Sequence, residues 1–262
     1  MNRTAPVKGV LGAEALPRPV STAIIAALLV CAAAAWVLTA QQSASMSGMG
    51  GVAMLGAGLF LVTWVVMMVA MMFPSVAPMV LTHARIVRVR GEGAAPTVVF
   101  VLGYLVVWTA AGLVPLGVIQ LLGSSMAAPL SGWLPRLAGG VVVVAGVYQL
   151  TPLKNACLRA CRSPLGFLLS HDFGGGVPAA VRAGMSHGLY CLGCCWALMA
   201  VLAVLGLMNL VLMAVFAAVF FLEKNWAQGV MLSRVAGVAC LVLGAAVLIR
   251  PEVLGLVGGP MA

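Results

Sequence analysis

The amino-acid sequence predicts an all-α fold, a polytopic transmembrane helical bundle of about seven spans, with six possible. Of its 262 residues, 63% are hydrophobic and only 7% are charged, which is too little charge to cover a water-soluble particle of this size. The apolar residues also collect in windows of about 20, the length that a helix needs to cross roughly 30 Å of hydrocarbon. The 31 glycines indicate close helix packing in lipid.

Seven apolar windows, each bounded by charges, Gly/Pro clusters or polar runs, give the predicted spans in chain order. They cover 20–40, 52–73, 97–119, 136–151, 183–205, 207–222 and 228–249. The first begins after Arg18, the second ends at Pro74, the sixth ends at Glu223-Lys224 and the seventh ends at Arg250. Little but Gly206 separates the fifth from the sixth, which predicts a tight helical hairpin. We expect one transmembrane domain over 20–250, an N-terminal tail over 1–19 and a short C-terminal tail over 251–262.

The distribution of basic residues predicts the orientation. The formal net charge is +9, and most of the Lys and Arg lie before the first span, after the second and between the fourth and fifth. Lys154 belongs to this last group, and Lys224, after the sixth span, is counted on the same side. Cytoplasmic loops carry such an excess, so the N-terminus is predicted to be cytoplasmic in a multi-pass protein of a bacterial inner membrane. The charge therefore needs no nucleic-acid partner, and the expected partner is the lipid bilayer. The sequence leaves the oligomeric state open.

Sulfur is the unusual part of the composition, with 16 Met and 7 Cys against three His. In the fifth span, His187, Cys191 and Cys195 are spaced by four and share one helical stripe, with Cys194 beside it. Imidazole and thiolate are ligands for soft metals, copper(I) above all, with zinc as the other candidate. The Cys-x-x-Cys spacing of Cys191 and Cys194 is also typical of redox pairs.

Two other segments add candidate ligands. Met67 and Met71 form an i,i+4 pair in the second span, and a rise of about 1.5 Å per residue places them at a depth similar to Cys191. The polar stretch 152–182 is predicted to be a cytoplasmic loop with a short helix after Pro152. That helix aligns Cys157 and Cys161 as a cytoplasmic relay.

Glu223 and Lys224, at the end of the sixth span, are expected to form a local ion pair that reaches water. They are side by side in the sequence and close to the predicted cytoplasmic face. Charged groups at such a position can reach the membrane surface.

Four sequence strings together carry a resemblance to a known family. They are 67–74 (MMVAMMFP), 148–154 (YQLTPLK) with the two following cysteines, 188–199 (GLYCLGCCWALM) and Glu223-Lys224. The chain resembles, over about 52–249, a bacterial domain-of-unknown-function family described as predicted metal-binding integral membrane proteins. The resemblance implies a metal site formed by Cys157, Cys161, His187, Cys191, Cys194 and Cys195.

These observations lead to one main hypothesis of function and two alternatives. The main hypothesis is an integral inner-membrane protein that binds a soft metal ion, copper(I) before zinc, for transfer, storage or delivery. Its partner would be a metal chaperone or an acceptor in or outside the membrane. The first alternative is a thiol-disulfide electron carrier that uses Cys191 and Cys194. The second is an accessory or assembly subunit of a membrane complex. A binding or transport protein is favoured over an enzyme.

Overall fold

The computed structural model describes residues 16–46, 56–123, 134–170, 174–206 and 209–253. Within these ranges the chain forms nine helices and no strand. The helices are α1 (Arg18–Met46), α2 (Ala57–Val89), α3 (Ala95–Gly123), α4 (Leu134–Gln149), α5 (Pro152–Arg162), α6 (Pro164–Ser170), α7 (Gly176–Gly206), α8 (Leu210–Asn225) and α9 (Gly229–Ile249). The predicted tails, 1–19 and 251–262, lie largely outside the described residues, so this division of the chain stays a prediction.

The lengths and composition of the helices confirm the predicted transmembrane bundle. Five described helices, α1, α2, α3, α7 and α9, are long and apolar enough to cross a membrane. Helices α4 and α5, bent by 65° at their junction, make a sixth if they count as one broken span. The remaining apolar window forms α8, which has only 16 residues. The chain is a multi-pass membrane protein, whereas seven crossings and a cytoplasmic N-terminus stay predictions.

The helix of the second predicted span does not end at Pro74. Helix α2 runs for 33 residues with Pro74 and Pro78 inside it. A proline has no N–H, so Pro74 leaves the carbonyl of Ala70 without its helical partner. Trp36 of α1 donates its Nε1–H to that oxygen at 3.1 Å, which explains why the helix continues. Since Pro74 does not mark a helix end, the depth estimated from it for Met67 and Met71 no longer holds.

The stretch 152–182 is not one long loop, since most of its described residues form α5, α6 and the start of α7. The short helix predicted after Pro152 is confirmed as α5. Thr151 is its N-cap, with the hydroxyl accepting the Lys154 N–H at 3.3 Å and Pro152 following at the first helical position. Helix α7 begins at Gly176, earlier than predicted, and its first N–H donates to the Glu92 carboxylate at 3.1 and 3.2 Å.

Small residues bring α7 into the centre of the bundle, in contact with α3, α4, α5 and α8. A Cβ at Gly188 of α7 would lie 2.9 Å from Val107 Cβ, and one at Gly103 of α3 would lie 2.8 Å from the Val181 carbonyl oxygen. Glycine at these positions lets the two helix backbones approach closely, as expected for association in lipid. The face of α7 that carries most of the candidate ligands is therefore buried against neighbouring helices, whereas Leu189 and Trp196 on its other side are exposed.

Candidate metal centre

Three thiols from two helices lie together inside the bundle. The sulfur atoms of Cys161 on α5 and of Cys191 and Cys194 on α7 are all within 4.8 Å of one another. The Cys161 and Cys194 sulfurs are 3.8 Å apart. Cys191 and Cys194 are buried and Cys161 is half-buried. We call these three residues the thiol group.

Helix geometry explains how the sequence brings these sulfurs together. Cys191 and Cys194 are three residues apart, so they project from one side of α7, and the Cys194 thiol donates to the Cys191 carbonyl at 3.1 Å. Cys195 is also buried, with its sulfur 3.3 Å from that of Cys194. On α5, Cys157 and Cys161 are one turn apart. Gly193 makes room for Cys157, because a Cβ on this glycine would lie 2.8 Å from the Cys157 sulfur.

The spacing of the thiol group suits a soft cation. Metal–thiolate bonds of about 2.3 Å put the sulfurs of a tetrahedral or trigonal site roughly 3.8–4.0 Å apart. The Cys161–Cys194 sulfur distance of 3.8 Å lies in this range. All three sulfurs are within 4.8 Å of one another, which is close to it. All seven cysteines are free thiols. Small side-chain movements would bring three thiolates around one ion.

A buried lysine and a buried tyrosine contact the thiol group through Cys191. The Lys224 ammonium of α8 donates to the Cys191 sulfur at 3.1 Å, to Met72 Sδ at 3.5 Å and to the Ser75 hydroxyl at 3.4 Å. The hydroxyl of Tyr104 on α3 lies 3.2 Å from the same Cys191 sulfur. Helices α3 and α8 therefore both reach the thiol group at this one cysteine, and α2 contacts the Lys224 ammonium beside it.

The expected water-exposed pair between Glu223 and Lys224 is wrong. Both side chains are buried, and Glu223 pairs with Lys154 of α5 at 2.8 Å, with neither partner exposed. Gln149 donates to the other carboxylate oxygen at 3.2 Å. The Lys154 ammonium also donates to the main-chain carbonyl of Cys194. One ion pair thus connects the helix of Cys161 to that of Cys194 and to the end of α8.

Arg162 strengthens the same connection. Its guanidinium donates to the carbonyls of Glu223 and Trp226, each at 2.6 Å, and to that of Ala227 at 3.0 Å. These oxygens lie at and just beyond the end of α8, where backbone carbonyls lack helical partners. The two ends of α5 are therefore both attached to neighbouring helices, which fixes Cys161 between them.

Sequence reasoning missed the buried ionic network around the thiol group. Lys154 and Lys224 were counted as loop charges that set orientation. A signal was present, since an ionisable residue next to an apolar window in a membrane protein is a candidate functional group. Their burial depends on how α5 and α8 pack against α7, which residue spacing does not reveal.

His187 is not part of the thiol group, although it lies one turn before Cys191. Its buried ring stacks with those of Phe100 and Tyr104, at centroid distances of 6.2 and 6.0 Å, and meets the edge of Phe167 at 5.5 Å. Among the described residues its Nδ1 has no hydrogen-bond partner. The structure places it in an aromatic pocket beside the sulfurs.

Met72 is the methionine of α2 that contacts the Lys224 ammonium. Met67 and Met71, the predicted ligands, are also buried in the core. Because successive residues of a helix are about 100° apart, Met71 points to a different side of α2 from Met72. A role for Met67 and Met71 as ligands therefore stays a prediction.

Comparison with known proteins identifies the family. No curated protein and no solved structure matches the chain. A family model described as PpoB2, copper chaperone, matches residues 61–247, a range that includes every residue of the thiol group and its ionic network. The predicted resemblance to a metal-binding membrane family is confirmed, and the thiol group and apolar helices fit a membrane protein that binds a metal. The chain belongs to the PpoB2 copper chaperone family.

Proposed function

We propose that this protein binds copper(I) as cargo through Cys161, Cys191 and Cys194 and delivers it to an acceptor protein in or outside a bacterial inner membrane. The observation that carries the proposal is the meeting of three thiols from two helices within 4.8 Å of one another. Their enclosure by apolar helices would exclude water and oxidants from the bound ion.

The donor set favours copper(I) over zinc. Structural zinc sites are almost always four-coordinate and tetrahedral, whereas thiolates and thioethers together select copper(I). The thiol group offers three sulfurs, and the nearby imidazole of His187 lies among aromatic rings. The family description, copper chaperone, supports the same ion. Zinc is the competing ion in any test.

Transfer, rather than permanent storage, is supported by a graded exposure of the sulfurs. Cys157 and Cys161 are half-buried on α5, whereas Cys191 and Cys194 are buried. An ion arriving at Cys157 can exchange one ligand at a time, first to Cys161 and then to the buried pair. Such movement needs contacts that are weak or numerous enough for the ion to leave again.

The test is the metal content of reduced, anaerobically purified protein, compared with that of two variants. We expect about one copper per chain in the wild type and loss of copper in Cys191→Ser/Cys194→Ser. The control is Cys240→Ser, which changes a buried cysteine of α9 outside the thiol group and should retain copper. X-ray absorption should show sulfur neighbours at about 2.3 Å. A wild type without stoichiometric metal, or a double variant that keeps it, would contradict the proposal, and bound zinc would reassign the cargo.

A second candidate function is thiol-disulfide exchange by Cys191 and Cys194. The observation in its favour is the Lys224 ammonium 3.1 Å from the Cys191 sulfur, because a neighbouring cation compensates the charge of the reactive thiolate. This function needs two cysteines and no metal. Thiol trapping in intact cells separates the two candidates: an oxidised Cys191–Cys194 pair in metal-free protein favours exchange, and reduced thiols with bound copper favour delivery.

A further inference from the structure

The Lys224 ammonium occupies a place that is better suited to a soft cation than to an amine. It is buried, and within the described part of the chain its hydrogen-bond acceptors are the Cys191 thiol, the Met72 thioether and the Ser75 hydroxyl. None of these is a carboxylate, because the adjacent Glu223 pairs with Lys154. Thiols and thioethers are weak hydrogen-bond acceptors, so among these three acceptors only a Cys191 thiolate, through its charge, can hold the buried ammonium strongly.

The same two sulfurs are good ligands for copper(I). Thiolate and thioether are the donors that select this ion. We propose that Cys191 and Met72 form a second copper(I) subsite beside the thiol group, and that the Lys224 ammonium holds its place when no metal is bound. This inference rests on the proposed function, since it describes the next position of the same cargo.

The distances allow such a subsite. The contacts of Lys224 Nζ with the two sulfurs, 3.1 and 3.5 Å, limit the separation of the sulfurs to 6.6 Å. A two-coordinate ion with metal–sulfur bonds of about 2.3 Å needs sulfurs roughly 4.6 Å apart. Methionine is unbranched and flexible, so rotation of the Met72 side chain can bring its sulfur to the required distance from the Cys191 sulfur. Copper(I) and an ammonium group carry the same charge, so either one can compensate the charge of a Cys191 thiolate.

Met72 also connects the thiol group to a sulfur stripe along α2. Met68 and Met79 share its helical side, being four residues before and seven after it, and all three are buried. At about 1.5 Å per residue, they lie roughly 6 and 10 Å from Met72 along the helix. Cys191 belongs to both ligand sets, so an ion can pass from the thiol group to α2 without leaving this thiolate. Met72 is then the first ligand on the way out of the thiol group.

The experiment is an anaerobic titration with up to two equivalents of copper(I), buffered by a competing chelator. We expect the wild type to bind the first equivalent at the thiol group and the second more weakly. Met72→Leu should lose the second equivalent, whereas Met213→Leu, which changes a fully buried methionine of α8, should keep it. Lys224→Leu should bind the second equivalent at least about tenfold more tightly, because it removes a like charge next to the ion.

X-ray absorption at the copper edge gives a direct readout on selenomethionine-labelled protein. At two equivalents, a selenium neighbour of copper should be present in the wild type and in Met213→Leu, and absent in Met72→Leu. A second equivalent that is insensitive to Met72→Leu, or is lost in Met67→Leu instead, would overturn the subsite. So would a Lys224→Leu variant with unchanged or weaker binding of the second equivalent. Failure of the wild type to bind even the first equivalent would overturn the proposed function together with the subsite.

Discussion

Replacing Lys154 by methionine should destabilise the fold by roughly 3–5 kcal/mol, because it leaves the Glu223 carboxylate buried without its cation. The two side chains are 2.8 Å apart and neither is exposed. After the change, the carboxylate keeps the hydrogen bond that it accepts from Gln149 at 3.2 Å. The contact from Lys154 to the Cys194 carbonyl is lost as well.

The magnitude follows from the geometry of the pair. At 2.8 Å and an effective dielectric constant of about 20, the attraction between the charges is about 6 kcal/mol. Desolvation of the two groups cancels much of this gain in the intact protein, at several kcal/mol for each ion. In the single variant the cost of burying Glu223 remains and the attraction is gone. The pair therefore contributes little net stability, whereas removal of one partner strongly destabilises the fold.

The matched control removes both charges. Lys154→Met/Glu223→Gln should recover most of the lost stability, since replacing a buried ion pair with neutral groups is often close to neutral. The assay is the free energy of unfolding of each purified protein in the same detergent, arranged as a double-mutant cycle. A single variant within about 1 kcal/mol of the wild type would refute the reasoning. So would a double variant less stable than both single ones.

Two glycines give further predictions about packing around α7. Gly184→Ala should destabilise by about 1–3 kcal/mol in the same unfolding assay, because its Cβ would overlap the main chain of Phe100. Gly117→Ala, with nothing within 4 Å of its Cβ, is the control and should show no loss. Gly193→Ala should weaken copper(I) binding in chelator competition, because its Cβ would lie 2.8 Å from the Cys157 sulfur and push α5 away from α7. Unchanged copper affinity in this variant would show that the close approach of α5 is not needed.

The helical bundle was predictable from sequence because burying apolar side chains in lipid is a local property of each window. Within the part of the chain that the structure describes, each of the seven windows contains a helix. The end of α2 was not predictable in the same way. The hydrogen bond that compensates Pro74 comes from Trp36, which is 34 residues away from the Ala70 carbonyl that accepts it. A proline rule that considers only neighbours in sequence therefore ends this helix too early.

The same distinction applies to the candidate site: contacts within one helix were predictable from the sequence, and contacts between helices were not. Cys191 and Cys194 belong to one helix, so their spacing alone indicated that their sulfurs are close. The spacing of Cys161 indicates only a separate cytoplasmic relay, and it is the family resemblance that groups Cys161 with the cysteines of α7; its sulfur lies 3.8 Å from that of Cys194. Its position depends on the 65° bend between α4 and α5 and on the buried pair of Lys154 with Glu223. Both are properties of the packed bundle, and no repeat or spacing in the sequence encodes them.

The burial of Lys154 and Lys224 bears on the predicted orientation, because both were counted as loop charges. Without them, the predicted cytoplasmic side still holds most of the arginines, which lie before and at the start of α1, at and just after the end of α2, in α5 and near the start of α7. The orientation therefore remains the one that the positive-inside rule favours. Both lysines lie near this basic end, at the start of α5 and the end of α8. Since they contact Cys194 and Cys191, the thiol group is closer to the basic end of the bundle than to the other. Under the proposed function and with a cytoplasmic N-terminus, copper(I) would reach the thiol group from the cytoplasmic side. Met68, which lies one turn from Met72 and further from the basic end of α2, would be the next sulfur toward the other side.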